Sequence, residues 1–70
     1  MEPYVVARNR EWVCVGLGQF KHWYHEWQLP AIAPYYWLRA HNIAMDVRWT
    51  FYGTIDTLCN RILLDVVHRH

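Results

Sequence analysis

The sequence predicts a small all-α protein in which residues 1–70 form a single domain. Three observations predict this class. Apolar residues recur at helical spacing in two long stretches, Pro30 and Pro34 separate those stretches, and a helix-start signal opens the last one. Two or three helices are expected, at about 18–28, 35–52 and 54–68, packed as a helical hairpin or a small open bundle.

The N-terminal segment has no strong helical pattern. Residues 1–10 are expected to form an extended arm. Residues 11–17 are left open between helix and strand, because the run Val-Cys-Val at 13–15 also suits a short strand. Gly16 and Gly18 weigh against a helix, since each costs about 1 kcal/mol relative to Ala in a helix interior.

The first predicted helix covers about residues 18–28. Its large apolar side chains are three and four residues apart, which places them on one face of a helix. The polar side chains between them then fall on the opposite face. The apolar face consists of Phe20, Trp23, Tyr24 and Trp27, and the polar face of Lys21, His22, His25 and Glu26.

The C-terminal half has the longer apolar pattern. Apolar residues follow at steps of four and three from Ala40 to Val66, which predicts helix on both sides of Gly53. A break or kink is expected at Gly53, so the flanking segments form either two helices or one long bent helix. Thr54 is expected to cap the last helix, because a Thr side chain accepts a hydrogen bond from a backbone N–H of the first turn.

Aromatic content is high for this length. Hydrophobic residues make up 54% of the 70 residues, which include five Trp, five Tyr and two Phe. A short chain has a thin core, and Trp is rarely fully buried even in larger proteins. Some rings are therefore expected to contact a partner, and the rings flanking the prolines are expected to meet at one end of a helical hairpin. The residues assigned to partner binding are Trp12, Phe20, Trp23, Tyr24, Trp27, Tyr35, Tyr36, Trp37 and Trp49.

The charges are nearly balanced, with seven Lys and Arg against six Asp and Glu. Because there is no basic block, no nucleic-acid partner is expected. No secretory signal is visible, and the longest uncharged run, residues 29–38, is too short and too Pro-rich to span a bilayer. We expect an intracellular protein without a transmembrane span, in a mitochondrial or another membrane-associated complex.

The five His and two Cys are the residues that could bind a metal or take part in catalysis. Their spacings match no zinc-site pattern, so no metal or other cofactor is expected. The alternative is a site built from His22, His25, Cys14 and Cys59. No nucleophile–base motif or phosphate loop is found, so no enzymatic activity is expected. Whether Cys14 and Cys59 form a disulfide is left open.

Three functions follow, in order of preference. The first is a non-enzymatic structural or accessory subunit that packs aromatic and aliphatic helix faces against other protein subunits. We expect this complex to be an obligate assembly, and a membrane-bound complex of the respiratory type is one example. In such a complex, some of the Trp and Tyr side chains would contact the lipid interface. The second is a stand-alone binding or regulatory module that uses an exposed Trp/Tyr cluster. The third is a small metal-binding protein with His and Cys ligands.

Overall fold

The fold is α+β, so the prediction of an all-α fold is wrong. The computed structural model describes residues 2–44 and 53–68. In these residues, an antiparallel sheet of three strands precedes a 3₁₀ helix and two α-helices. The elements in chain order are β1 (Tyr4–Asn9), β2 (Trp12–Leu17), β3 (Phe20–His25), the 3₁₀ helix (Glu26–Ala31), α1 (Tyr35–Ala40) and α2 (Ile55–Val67).

Two tight turns build the sheet, in which β2 is central. Asn9 pairs with Trp12 and Leu17 pairs with Phe20, so two residues connect each pair of strands. Gly18, the first residue of the second turn, has a φ of 61°. Glycine adopts this conformation without steric cost, and two-residue hairpin turns favour it at this position. The helix predicted over 18–28 is wrong because the chain reverses direction at its start.

Side chains of β3 alternate between the two faces of the sheet. Tyr24 lies opposite the buried Val13 and is 4% exposed, whereas Trp23 lies opposite Cys14 and is 45% exposed. The predicted helix placed Trp23 and Tyr24 on one face. The strand separates them, and this separation decides which rings enter the core.

Helix α2 agrees with the prediction for the last segment. It covers Ile55–Val67, and the Thr54 hydroxyl oxygen accepts a hydrogen bond from Thr57 N at 3.1 Å. Leu58 and Ile62 are fully buried. Helix α2 packs mainly on β3 and also on β2, so it covers one face of the sheet.

The core lies between that face, the helices and the connecting segments. Trp37 of α1 is fully buried, and its Nε1–H donates to the Pro3 carbonyl at 2.8 Å. This bond ties α1 to the residue before β1. The core residues are Val13, Val15, Leu17, Tyr24, Leu29, Ala33, Trp37, Leu38, Ile43, Leu58 and Ile62.

Helix α1 ends early, in a Schellman motif. Asn42 has a φ of 55°. Its N–H donates to the Arg39 carbonyl at 3.2 Å, and the Ile43 N–H donates to the Leu38 carbonyl at 2.9 Å. A helix over 35–52, or one bent helix from 35 to 68, is therefore wrong. The rest of the first of these segments, 45–52, lies outside the described residues.

Candidate interaction surface

The sheet has a second face, turned away from α2, which we call the outer face. Its large apolar side chains are open to solvent: Tyr4, Val6, Trp12 and Trp23 are each 39–45% exposed. Its positions are Tyr4, Val6, Ala7 and Asn9 on β1, Trp12, Cys14 and Gly16 on β2, and Lys21, Trp23 and His25 on β3.

Gly16 shapes the centre of the outer face. A β-carbon built at Gly16 would lie 2.8 Å from Val6 Cγ2 and 2.9 Å from Tyr4 Cζ. The Tyr4 hydroxyl also donates to the Gly18 carbonyl at 3.1 Å. The absence of a side chain at position 16 therefore lets Tyr4 and Val6 lie directly on the central strand.

Three rings lead from the outer face to the 3₁₀ helix. The centroids of Trp12 and His25 are 3.8 Å apart, and those of His25 and Trp27 are 5.9 Å apart with the planes at 22°. Trp27 is 58% exposed. We call these three residues the aromatic strip. It extends the outer face beyond the end of β3.

Charge is sparse on the outer face. Lys21 is the one Lys or Arg among its ten positions, and none of the ten is Asp or Glu. Glu26, which follows β3, is held by an ion pair with Arg8. Arg8 also donates to the Asn42 carbonyl at 3.0 Å, and its partner in β2 is the buried Val13, so it belongs to the core face. The outer face is thus apolar with a slight positive charge.

An open groove lies where the 3₁₀ helix and α2 meet β3. Its volume is about 210 Å³. It is lined by Tyr24, Trp27, Gln28, Ala31, Ile32 and Arg61. Trp27 belongs both to this groove and to the aromatic strip, so the two features are contiguous.

A hydrogen-bond chain runs along one wall of the groove. The Tyr24 hydroxyl donates to Asp65 Oδ2 at 2.6 Å, and Arg61 Nε donates to the same oxygen at 3.2 Å. Burial, together with the Asp65 carboxylate, raises the pKa of Tyr24 far above its usual range. Tyr24 therefore stays a neutral donor and fixes Asp65, which in turn orients the Arg61 guanidinium.

The residues predicted for partner binding do not form one cluster. Trp12 and Trp23 lie on the outer face, and Trp27 belongs to the aromatic strip. The rings on the two sides of the prolines do not meet at the end of a helical hairpin, as the following positions show. Tyr24 and Trp37 are buried in the core, Phe20 is half-buried against it, Tyr35 and Tyr36 are exposed on α1, and Trp49 lies outside the described residues.

Sequence reasoning missed two parts of this surface. Tyr4 and Val6 belong to β1 and not to an extended arm, and the run Tyr-Val-Val at 4–6 has the aromatic and β-branched composition of a strand. The sequence places Arg61 four residues before Asp65 on a helix, which predicts an i, i+4 ion pair, but its place in the groove depends on tertiary packing that this spacing does not contain.

The four candidate metal ligands are divided among different surfaces. His22 and His25 lie on opposite faces of β3, because they are three positions apart in a strand. Cys14 is on the outer face, whereas Cys59 is in α2 and packs against the core. Both thiols are free. In residues 2–44 and 53–68, no three His, Cys, Asp or Glu side chains are grouped so as to hold a metal ion.

None of the helices in the described part of the chain has the length and apolar character needed to cross a bilayer. Comparison with known proteins gives no significant match to a family model, to a curated protein or to a solved structure.

Proposed function

We propose that the protein is a non-enzymatic binding subunit whose outer face packs against another protein. The observation that carries the proposal is the exposure of four large apolar side chains, Tyr4, Val6, Trp12 and Trp23, on one side of one sheet. Contiguous apolar surface of this kind is typical of interaction sites, because apolar area in water is unfavourable. The contact surface is a sheet face, in place of the helix faces expected from the sequence.

The two-layer architecture supports the same proposal. Helix α2 covers one face of the sheet, so a partner packed on the outer face would provide a third layer. Strands of six residues, at about 3.3 Å per residue and about 4.8 Å between strands, give a backbone area about 20 Å long and 10–14 Å wide. The aromatic strip lengthens this area. Stable interfaces bury about 800 Å² per partner, and the sheet area alone, about 200–280 Å², supplies about a quarter to a third of that before the strip is added.

The chemistry of the outer face favours a protein partner. Trp and Tyr are the residues that most often dominate binding energy at protein interfaces. A nucleic-acid surface requires clustered cations, whereas this face has Lys21 as its one Lys or Arg and the chain has a net charge of +1. A carboxylate at the rim of the partner's surface would complement Lys21.

The absence of catalysis is part of the proposal. Among the described residues, no hydrogen bond joins a Cys or Thr side chain to a His, which a nucleophile–base pair would need. Intracellular location and membership of a membrane-bound complex stay predictions from the sequence.

In the first step of the test, the full chain is tagged and expressed in its native source, and proteins that co-purify with it are identified by mass spectrometry. The affinity of that purified protein is then measured for the wild type and for the double variant Trp12→Thr/Trp23→Thr. Thr keeps the strand propensity of both positions. Loss of two interface Trp residues is expected to weaken binding by about 30-fold or more, since a hot-spot truncation costs at least about 2 kcal/mol.

Tyr36→Ala is the matched control. Tyr36 is 57% exposed but lies on α1, the helix that contributes Trp37 to the core, and it is not one of the ten positions of the outer face. The Tyr36→Ala variant should bind the partner with wild-type affinity. The melting temperatures of both variants should lie within a few degrees of the wild-type value. Full affinity in the double variant would refute the proposal. So would binding only to lipid vesicles, with no protein partner.

A further inference from the structure

The groove beside the 3₁₀ helix combines apolar walls with hydrogen-bond donors. The Ala31 and Ile32 side chains and the Trp27 ring supply apolar surface. With a volume of about 210 Å³, it lies below the range of drug-sized ligand sites, which is roughly 300–1,000 Å³. The groove therefore suits one amino-acid residue better than a larger molecule.

The polar groups that line the groove have donors to spare. Arg61 uses Nε to contact Asp65, and its two terminal nitrogens have no acceptor among the described residues. Gln28 accepts from the His25 N–H at 2.9 Å through Oε1, which leaves its amide NH₂ as a donor. The Trp27 indole N–H also has no acceptor in the described part of the chain. A ligand that supplies acceptor oxygens would satisfy all three.

Arg61 is already positioned for such a ligand. Asp65 is fixed by the Tyr24 hydroxyl and holds Arg61 through Nε. A guanidinium held in this way presents its two terminal N–H₂ groups side by side, which is the arrangement that binds the two oxygens of a carboxylate. Part of the side-chain entropy of Arg61 is then already lost before binding, which lowers the cost of binding.

We propose that the groove binds the C-terminal residue of a partner chain, with the terminal carboxylate on Arg61 and an apolar side chain against Ala31 and Ile32. The proposal rests on the proposed function, since it names the part of a protein partner that this site takes. A C-terminal residue carries a carboxylate and a side chain on the same carbon atom, so both fit within one small groove. An internal Asp or Glu has only one or two methylene groups beside its carboxylate, and inorganic phosphate has no apolar group at all.

The location of the groove fits a partner that also covers the outer face. Trp27 lines the groove and stacks on His25, whose ring in turn contacts the tilted ring of Trp12. A chain that leaves the groove can therefore follow the aromatic strip onto the outer face.

The test uses N-acetyl-leucine as the probe and the full chain labelled with ¹⁵N for NMR. We expect saturable shifts at the Trp27 indole N–H and the Ala31 and Ile32 amides, with a dissociation constant on the order of 1–10 mM for so small a ligand. N-acetyl-leucinamide has the same shape without the charge, and it should bind at least tenfold more weakly. N-acetyl-aspartate N-methylamide and inorganic phosphate, which represent the two other sources of an anion, should also bind at least tenfold more weakly.

Arg61→Gln should abolish the response to N-acetyl-leucine. Its exposed i, i+4 ion pair contributes only about 0.3–0.5 kcal/mol, so the variant should stay folded. Arg39→Gln is the matched control, because it removes an exposed helical Arg from α1, and it should bind normally. Equal binding of the acid and the amide, full binding to Arg61→Gln, or no saturable shift with the wild type would each overturn the proposal. The comparison of acid with amide needs no variant.

The two proposals fail in different ways. If Trp12→Thr/Trp23→Thr loses the partner but N-acetyl-leucine does not bind, only the groove assignment is wrong. If the probe binds through Arg61 but the double variant keeps full affinity for the partner, the outer face is not the interface.

Discussion

Replacement of Gly53 by Ala is expected to destabilise the protein by about 2–4 kcal/mol. A β-carbon at this position would lie 2.2 Å from both the carbonyl carbon and the carbonyl oxygen of Ile32, and 2.8 Å from Ala33 N. These neighbours are backbone atoms, so no rotamer change can relieve the overlap. Normal contact would require a shift of about 1 Å in one of the two chain segments, since carbon atoms pack at about 3.5 Å.

Such a shift would disturb the core. Gly53 N donates to the Ala33 carbonyl at 3.1 Å, and Ala33 N donates to the Leu29 carbonyl at 2.9 Å. Leu29 and Ala33 are fully buried. Overpacking costs about 1–3 kcal/mol, and loss of a hydrogen bond adds about 1 kcal/mol. A domain of this size has roughly 4–10 kcal/mol of total stability, so the loss would be a large fraction.

Urea unfolding followed by far-UV circular dichroism measures this loss as a change in midpoint. Thr54→Ala is the control at the neighbouring position, because it removes the α2 cap and should cost about 1 kcal/mol. If Gly53→Ala unfolds at the wild-type midpoint, or loses less than Thr54→Ala, the close approach of Gly53 to Ile32 is refuted.

Three further substitutions test other contacts. Because the pKa of Tyr24 is raised, its contribution to stability is fully present below about pH 10 and falls above it, since the unfolded Tyr ionises while the folded one stays neutral. Between pH 9 and 11 the urea midpoint of Tyr24→Phe should therefore fall less than that of the wild type, and equal falls would contradict this. Gly16→Ala displaces only side-chain atoms of the exposed residues Val6 and Tyr4, so the free energy of unfolding in urea should change by less than about 1 kcal/mol. The affinity for the partner should fall, and an unchanged affinity would count against the outer face as the interface. Arg8→Met removes an ion pair and the bond to the Asn42 carbonyl and should cost about 1–2 kcal/mol in urea unfolding; a wild-type midpoint would show that these contacts contribute nothing.

The last helix was predictable because several independent signals agree there. Thr54 caps it, Asp56 lies in its first turn, and Leu58 and Ile62 are buried on one side. The apolar pattern extends over more than three turns, which is too long for a typical strand. Local preference and tertiary packing favour the same structure in this segment.

Strand β3 was mispredicted because its stretch is short. Phe20, Trp23, Tyr24 and Trp27 fit a helical stripe, but three of the four belong to a six-residue strand and Trp27 to the following 3₁₀ helix. In such a window, helical and alternating patterns cannot be distinguished by spacing alone. The hairpin glycine, Gly18, was the signal that could have decided between them.

The sequence predicted that an exposed aromatic surface exists, but not which residues form it. Chain length against aromatic content predicted that some Trp rings stay exposed, and Trp12, Trp23 and Trp27 do. The same argument cannot say which rings are buried. Trp37 is fully buried, and its indole reaches the Pro3 carbonyl 34 residues away, a contact that only the tertiary fold creates.

The charge on the outer face bears on whether its partner is a second copy of this chain. In a symmetric contact, Lys21 of each copy would be buried near a surface that has no carboxylate at any of its ten positions. A buried charge without a partner is strongly unfavourable, and like charges across an interface reduce association. A different protein can place an acidic side chain opposite Lys21 and an apolar centre over Tyr4 and Val6. The outer face is therefore better suited to a different protein than to a second copy of this chain. Analytical ultracentrifugation of the wild type should show a monomer at concentrations where the partner binds.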